Sequence, residues 1–243
     1  MKHQAVCLDQ DHDTQADCGH TANAANRTDR APMSAPPGFA DAAQTWNRRY
    51  TEAADSLLFG AAPNAWLATQ APRLKPGGRW LSVADGEGRN SVWLARQGLK
   101  VDAFDIADVA VAKARAFAAA QGVTVDYAVA GVDDLAWPEA LYDGVAAIFV
   151  QFADPAMRQR LFNGLVRALK PGGLLLLQGY TPRQLDYRTG GPGQIAHLYT
   201  PAQLRQELAA LQIEELREYD DDLAEGSAHR GRSALVGLVA RKP

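Results

Sequence analysis

Two glycines and a carboxylate set the first chemical expectation. Gly86 and Gly88 lie in the run Val83-Ala84-Asp85-Gly86-Glu87-Gly88-Arg89-Asn90-Ser91-Val92, where missing Cβ atoms permit tight backbone angles and close approach of a ligand. The preceding Arg79-Trp80-Leu81-Ser82-Val83 reads as a buried strand, and Asn90 to Gly98 as a helix whose first N–H groups face that ligand. A second strand, Lys100 to Asp105, ends in a carboxylate about 20 residues beyond the turn, the spacing that grips the two hydroxyls of a ribose. Together these residues predict an adenosine-containing ligand, with Asp105 accepting two hydrogen bonds at once.

The elements that must position this turn alternate along the chain. Asp108 to Gln121 is an alanine-rich helix with Asp108 as its cap, closed by Gly122. Thr124 to Ala128 is a third strand, Gly131 to Leu135 a loop at its carboxyl end, and Gly144 to Val150 a fourth strand. Asp154-Pro155 opens a helix in which Met157, Leu161, Leu165 and Leu169 form one buried stripe. Lys170-Pro171-Gly172-Gly173 stops it, and Leu174 to Leu177 reads as a buried strand. Gly179 to His197 is expected to be an irregular lid or substrate wall. Thr200-Pro201 starts another helix, and Ile213 to Tyr219 and Ser233 to Ala240 are two closing strands. Such alternation predicts an α/β fold, a mainly parallel sheet with helices on both faces and the ligand at the carboxyl ends of its strands.

Composition bounds the class. With 243 residues and 47% apolar content, the chain can bury a full α/β core. It has no run of 18 apolar residues, so no membrane span is expected, and its N-terminus lacks an apolar signal region, which points to a cytoplasmic protein. A net charge of −3, with acids and bases interspersed, gives no footprint for nucleic acid. Residues 1–40 are polar and Pro-rich and read as a disordered extension, leaving 41–243 as the folded domain. Both cysteines, Cys7 and Cys18, lie in that extension with His12 and His20, but their spacing matches no closed zinc motif, and no metal is expected.

The Gly-Glu-Gly-Arg-Asn turn after an apolar strand, followed by Leu169-Lys170-Pro171-Gly172-Gly173, resembles the class I S-adenosylmethionine-dependent methyltransferases, and more narrowly the tellurite-resistance methyltransferase group. The resemblance extends over residues 44–242 and includes Trp46-Asn47-Arg48-Arg49-Tyr50, Leu198-Tyr199-Thr200 and His229-Arg230. It implies a Rossmann-like, doubly wound, seven-stranded sheet closed by an antiparallel edge. The cofactor it implies is S-adenosyl-L-methionine. Three positions depart from the family: Ser82 replaces an acid, Ala84 the first glycine, and Gly131 an acid ahead of the adenine-flanking residue. The first two departures leave the Ser82 hydroxyl or Asp85 to assume part of the polar work.

The resemblance also distributes roles. Asp105, with Ile106 beside it, would hold the ribose; Gly86, Gly88, Arg89 and Asn90 would meet the amino-acid end; Val132 and Asp133 would flank the adenine. Phe149 and Val150 would lie under the methionyl portion. Trp46 and Tyr50 would fold over the cofactor, where an aromatic face near a sulfonium is worth about 0.5–2 kcal/mol. His229 and Arg230 would face the substrate in a polar loop, the histidine guiding a proton and the arginine holding an oxyanion. His197 is the other histidine of residues 41–243. The fourth strand is not followed by Asp/Asn-Pro-Pro-Tyr, which argues against amine methylation, and residues 41–243 hold no cysteine for a covalent route. A small-molecule acceptor with a soft atom, a thiol, selenium or tellurium, is therefore expected. A nicotinamide-dependent oxidoreductase is the alternative, disfavoured because Ser91 stands where its fingerprint wants Gly or Ala. A non-catalytic adenosyl-binding module is another. Monomer and homodimer are left open.

Overall fold

The computed structural model describes residues 40–54 and 56–243; the expected extension and its Cys7, His12, Cys18 and His20 lie outside the described residues. Seven strands form one sheet: β1 Arg79–Val83, β2 Lys100–Asp105, β3 Asp126–Val129, β4 Tyr142–Ile148, β5 Leu169–Tyr180, β6 Gln212–Glu225 and β7 His229–Arg241. Their order is β3-β2-β1-β4-β5-β7-β6. The first five strands are parallel, and β7 runs antiparallel between β5 and β6. The expected Rossmann-like, doubly wound α/β architecture is thus present. Its reversed strand, β7, lies one position inside the edge.

Alternation along each strand splits the core in two. Leu175 and Leu177 face one side with Leu81, Val83, Val145 and Leu238, under the helices α5 Pro155–Ala168 and α7 Pro201–Glu207. Leu174 and Leu176 face the other with Trp80, Val101, Ala103 and Val239, under α2 Ala65–Thr69, α3 Arg89–Arg96 and α4 Asp108–Ala120. The predicted stripe of α5 is buried through Met157, Leu161 and Leu165, each worth about 1.5–3 kcal/mol. Asp154 caps that helix, its side chain accepting from the Met157 N–H at 2.8 Å.

Local signals misplaced several features. Asp108 is the first residue of α4, whose cap is Ala107 with no side-chain bond; the Asp108 carboxylate instead accepts from Asn47 Nδ2 at 2.5 Å, fastening α4 to α1 Ala40–Glu52. The Lys-Pro-Gly-Gly run is a bulge within β5: Tyr142 pairs with Leu169, and Gly144 already with Leu174. Gly179 to His197 is not wholly irregular, for it contains the end of β5, the short helix α6 Gln184–Tyr187 and a 3₁₀ turn at Ile195–His197. The closing hairpin is far longer than expected. Its turn at Gly226 (φ 68°) lets Glu225 pair with His229, so the segment expected to be a polar loop is paired strand.

Candidate active site

A cavity of about 680 Å³ opens at the carboxyl ends of β1, β2 and β4, within the range that takes small ligands and cofactors. Ala84, Asp85, Gly86, Arg89 and Asn90 line it from the glycine turn, Asp105 and Ile106 from the end of β2, Val132 from the loop after β3, and Phe149 from the end of β4.

The turn is held by two buried carboxylates. Asp105 Oδ2 accepts from the Gly86 N–H and Oδ1 from the Ala107 N–H, both at 2.9 Å. These bonds leave further acceptor capacity on an oxygen pair that lines the cavity. Burial raises the Asp105 carboxyl above its usual range. Asp85 is also buried. It accepts from Ser82 Oγ at 2.6 Å, from the Ser91 N–H at 3.2 Å and from Ser91 Oγ. Burial still pushes its carboxyl up to about 6 against those donors. Ser82, expected at the ligand, is instead behind the turn and does not line the cavity. Its hydroxyl does polar work on Asp85.

The two glycines serve different ends. A Cβ on Gly86 (φ 62°) would stand 2.8 Å from Tyr50 Oη, at the cavity wall. On Gly88 (φ 91°) it would stand 2.8 Å from Tyr127 Oη and 3.0 Å from Ala114 Cβ. Gly88 is therefore required by the packing of α4, and it does not line the cavity. Ala84 keeps a left-handed backbone, φ 48°, in the place where the family that the sequence resembles carries glycine.

Aromatic rings close one side. Trp46 and Tyr50 stack with centroids 5.7 Å apart, and each lies 6.4 Å from Phe59. Asn47 fixes α1 over α4, and Lys113 Nζ donates to the Tyr50 carbonyl at 2.7 Å. Phe59 was not anticipated from sequence. It lies in the irregular chain after α1, where no periodicity marks it, and Glu87 holds that chain through the Leu58 N–H at 2.6 Å.

His229 lines the cavity with its ring 4.6 Å from Phe59 and 4.4 Å from Phe149. Burial lowers its pKa below 6.5, against the pull of Glu225, so the ring is neutral at neutral pH. Its Nδ1 is buried without a hydrogen-bond partner among the described residues, 3.9 Å from Glu225 Oε2. Burial would raise Glu225, but His229, Arg89 and the Ala65 N–H outweigh it and hold the carboxyl at about 2.

Three further expected residues do not line the cavity, and a fourth lines it already paired. Arg230 is exposed and does not line the cavity, because neighbours on a strand face opposite sides. Asp133 is exposed and gripped by Arg160 at 2.7 and 2.8 Å, so it is turned to that arginine and not to the cavity. Val150 is fully buried in the core. Arg89 reaches the cavity but is paired with Glu225 at 2.7 Å, both nearly buried, and so offers no free cation. Conversely, Gln194, His197, Met157 and Arg160 complete the lining. The wall expected from Gly179 to His197 thus reaches the cavity through its last residues. Among the described residues no cluster of side chains is set to hold a metal, and no helix is long and apolar enough to cross a membrane.

The lining fits S-adenosyl-L-methionine. Asp105 presents remaining lone pairs for ribose hydroxyls, Ile106 and Val132 offer apolar walls for a purine, the Cβ-free Gly86 leaves room beside Tyr50, and the Trp46/Tyr50/Phe59 rings provide faces for a sulfonium.

Comparison with known proteins points the same way. The model of a family described as methyltransferase domain matches residues 81–173. A ubiquinone biosynthesis O-methyltransferase from Xanthomonas axonopodis pv. citri is 36% identical over 132 residues, 52% of this chain and 54% of that one. An uncharacterized protein of Mycobacterium tuberculosis, Rv1405c, is 33% identical over 121 residues, 49% of this chain and 43% of that one. The chain spans about half the length of the curated relatives it matches. Among solved structures, a protein studied for the conversion of a disulfide bond into a thioacetal group during echinomycin biosynthesis superposes with a TM-score of 0.69 at 17% identity, over 82% of this chain and 92% of that one. TehB from Haemophilus influenzae gives 0.62 at 16%, over 82% and 67%, and a SAM-dependent methyltransferase from Methanosarcina mazei 0.60 at 20%, over 74% and 98%. At such identities the likeness is one of fold, and that fold is the one expected from the sequence.

Proposed function

We propose that this chain is an S-adenosylmethionine-dependent methyltransferase, with residues 41–243 as its catalytic domain, acting on a small molecule whose acceptor atom arrives protonated, a thiol or a phenolic hydroxyl. The observation that carries this reading is the cavity itself: Asp105 beside Gly86 at one end, and a neutral histidine, His229, packed between Phe59 and Phe149 at the other.

The bound cofactor supplies a methyl group on a sulfonium sulfur and leaves as S-adenosylhomocysteine. The protein's own work is alignment, since well-oriented reactants are worth about 7–11 kcal/mol. Asp105 and Gly86 hold the nucleoside end, Trp46, Tyr50 and Phe59 exclude water, and His229 and Phe149 form the wall against which the acceptor lies. Of the catalytic pair expected from sequence, His229 is retained and Arg230 is not.

Electrostatics narrows the soft acceptors expected from sequence. Both arginines of the lining, Arg89 and Arg160, are paired with carboxylates, and Asp85, Asp105 and Asp154 add negative charge to the wall. A ready-made tellurium or selenium oxyanion would meet no free cation among the described lining residues. A neutral thiol or phenol meets an aromatic wall and a neutral imidazole. The O-methyltransferase name of the Xanthomonas relative supports the phenolic form.

Calorimetric titration with S-adenosylhomocysteine, S-adenosylmethionine and NADH in parallel tests the reading. Binding of both adenosyl ligands without NADH is expected. Binding of NADH alone would replace the methyltransferase with the nicotinamide alternative, and turnover of any acceptor would remove the non-catalytic module.

A further inference from the structure

Among the described residues two histidines line the cavity, and a hydrogen bond to a backbone oxygen fixes the tautomer of one. His197 Nδ1 lies 3.0 Å from the backbone oxygen of Gln151. A carbonyl oxygen can only accept, so Nδ1 carries the hydrogen and Nε2 of the neutral ring keeps its lone pair. The partner is itself held by hydrogen bonds. Gln151 is buried, its Nε2 donates to the Tyr180 and His197 carbonyls at 2.9 Å, and its Oε1 accepts from the Tyr180 N–H at 2.6 Å. One residue earlier, the Ala196 carbonyl accepts from Arg158 at 2.7 Å, and Arg158 is clamped by Glu207 at 2.8 and 2.9 Å. His197 is therefore pinned on both sides to the end of β4 and to α5. By contrast, His229 Nδ1 has no hydrogen-bond partner among the described residues.

The carboxylates of the lining already accept from protein donors. Asp85 takes serine donors, Asp105 two backbone N–H groups, and Asp154 the cap of α5.

We infer that His197 is a further catalytic residue, the base whose Nε2 takes the proton of the acceptor. This rests on the methyl-transfer reading. The acceptor's S–H or O–H bond breaks with its pair kept on the acceptor, that pair forms the bond to the methyl carbon, the old carbon–sulfur pair stays on the departing sulfur, and the proton passes from the imidazolium to water.

The test uses 4-nitrophenol, yellow only when ionised, titrated into the full chain with and without S-adenosylhomocysteine at a pH where the free dye is colourless. The wild-type protein is expected to bind the dye in its yellow form. His197→Asn keeps an amide donor for the Gln151 oxygen but has no atom in place of Nε2; its bound dye should lose about tenfold in ionised fraction, the equivalent of a shift of about one pKa unit. His197→Gln should behave alike, so a folding defect peculiar to either variant is recognised, and Arg230→Ala, outside the lining, should stay yellow. Yellow dye on His197→Asn and His197→Gln, or no dye bound by the wild type, overturns the inference. Failure of S-adenosylhomocysteine to bind in calorimetry overturns the methyl-transfer reading instead, and the dye titration without it still reports on His197.

Discussion

Asp105 ties the end of β2 to the glycine turn, its Oδ2 accepting from the Gly86 N–H at 2.9 Å while Oδ1 accepts from Ala107. The residue proposed to hold the ribose is thus also a structural clamp. Asp105→Ala leaves two buried N–H groups unsatisfied, at about 1–3 kcal/mol each. A chain of this size should lose about 2–4 °C of melting temperature per kcal/mol. Calorimetry should show S-adenosylhomocysteine affinity falling more than tenfold, about 1.4 kcal/mol, and thermal melts should show the loss of stability; an unchanged affinity would remove Asp105 from the ligand's contacts.

The two glycines should separate in their effects. Gly88→Ala drives a Cβ against Tyr127 and Ala114 at a positive φ, and should destabilise by about 2–4 kcal/mol. Gly86→Ala meets only the tip of Tyr50. It should cost about 1–2 kcal/mol and weaken ligand binding out of proportion. Urea unfolding alongside calorimetry distinguishes the two.

Ala84 holds a left-handed backbone, φ 48°, which costs an L residue about 1–2 kcal/mol. Ala84→Gly removes that strain, less the greater chain entropy of glycine, about 0.5–1 kcal/mol. A net gain of about 0.5–1 kcal/mol in denaturant titration is expected, with ligand affinity unchanged or improved.

The Asp85 carboxyl is raised by burial from 3.8 to about 6. Between those values the native state holds more protons than the unfolded one, so this group's contribution falls as pH rises through the interval, by about 3 kcal/mol in all. Asp85→Asn has no such proton. Relative to the wild type it should be more favourable above pH 6 than below pH 3.8 by that amount, and parallel stability curves across the interval would show that Asp85 is not raised.

His229→Ala should leave S-adenosylhomocysteine binding intact and reduce turnover about 10–100-fold, the equivalent of one or two lost contacts at the reacting centre. Arg230→Ala, on the opposite face of β7, should leave both near wild type. Single-turnover rates with any acceptor that the wild type methylates would check the contrast.

Much of the fold is written locally. The apolar runs of β1, β2 and β4, the stripe of α5 and the Asp154 cap follow from period and residue type, because a strand buried on both faces and a helix buried on one leave different patterns. The glycine turn and the carboxylate at Asp105 are equally local, fixed by a short spacing within one β-α-β unit. What lies beyond that unit was misread wherever a partner distant in sequence decided it. The closing hairpin extends to Glu225 and His229 because β7 pairs along β5 and β6, which no turn signal announces. The phase of that strand sends His229 inward and Arg230 outward, and a shift of one residue would have exchanged them.

The site divides in the same way. Sequence alone pointed to Gly86 and Asp105 as the place for an adenosine-type ligand, since both the backbone freedom and the carboxylate are properties of neighbouring residues. Only the tertiary structure decided what charge and which rings line the cavity there. Arg89 is neutralised by Glu225, 136 positions later; Ser82 is spent on Asp85; Phe59 comes from a segment without periodicity; and His197 owes its orientation to the Gln151 carbonyl. Each depends on a contact between distant chain segments, and such contacts are set by packing, which a local pattern does not encode.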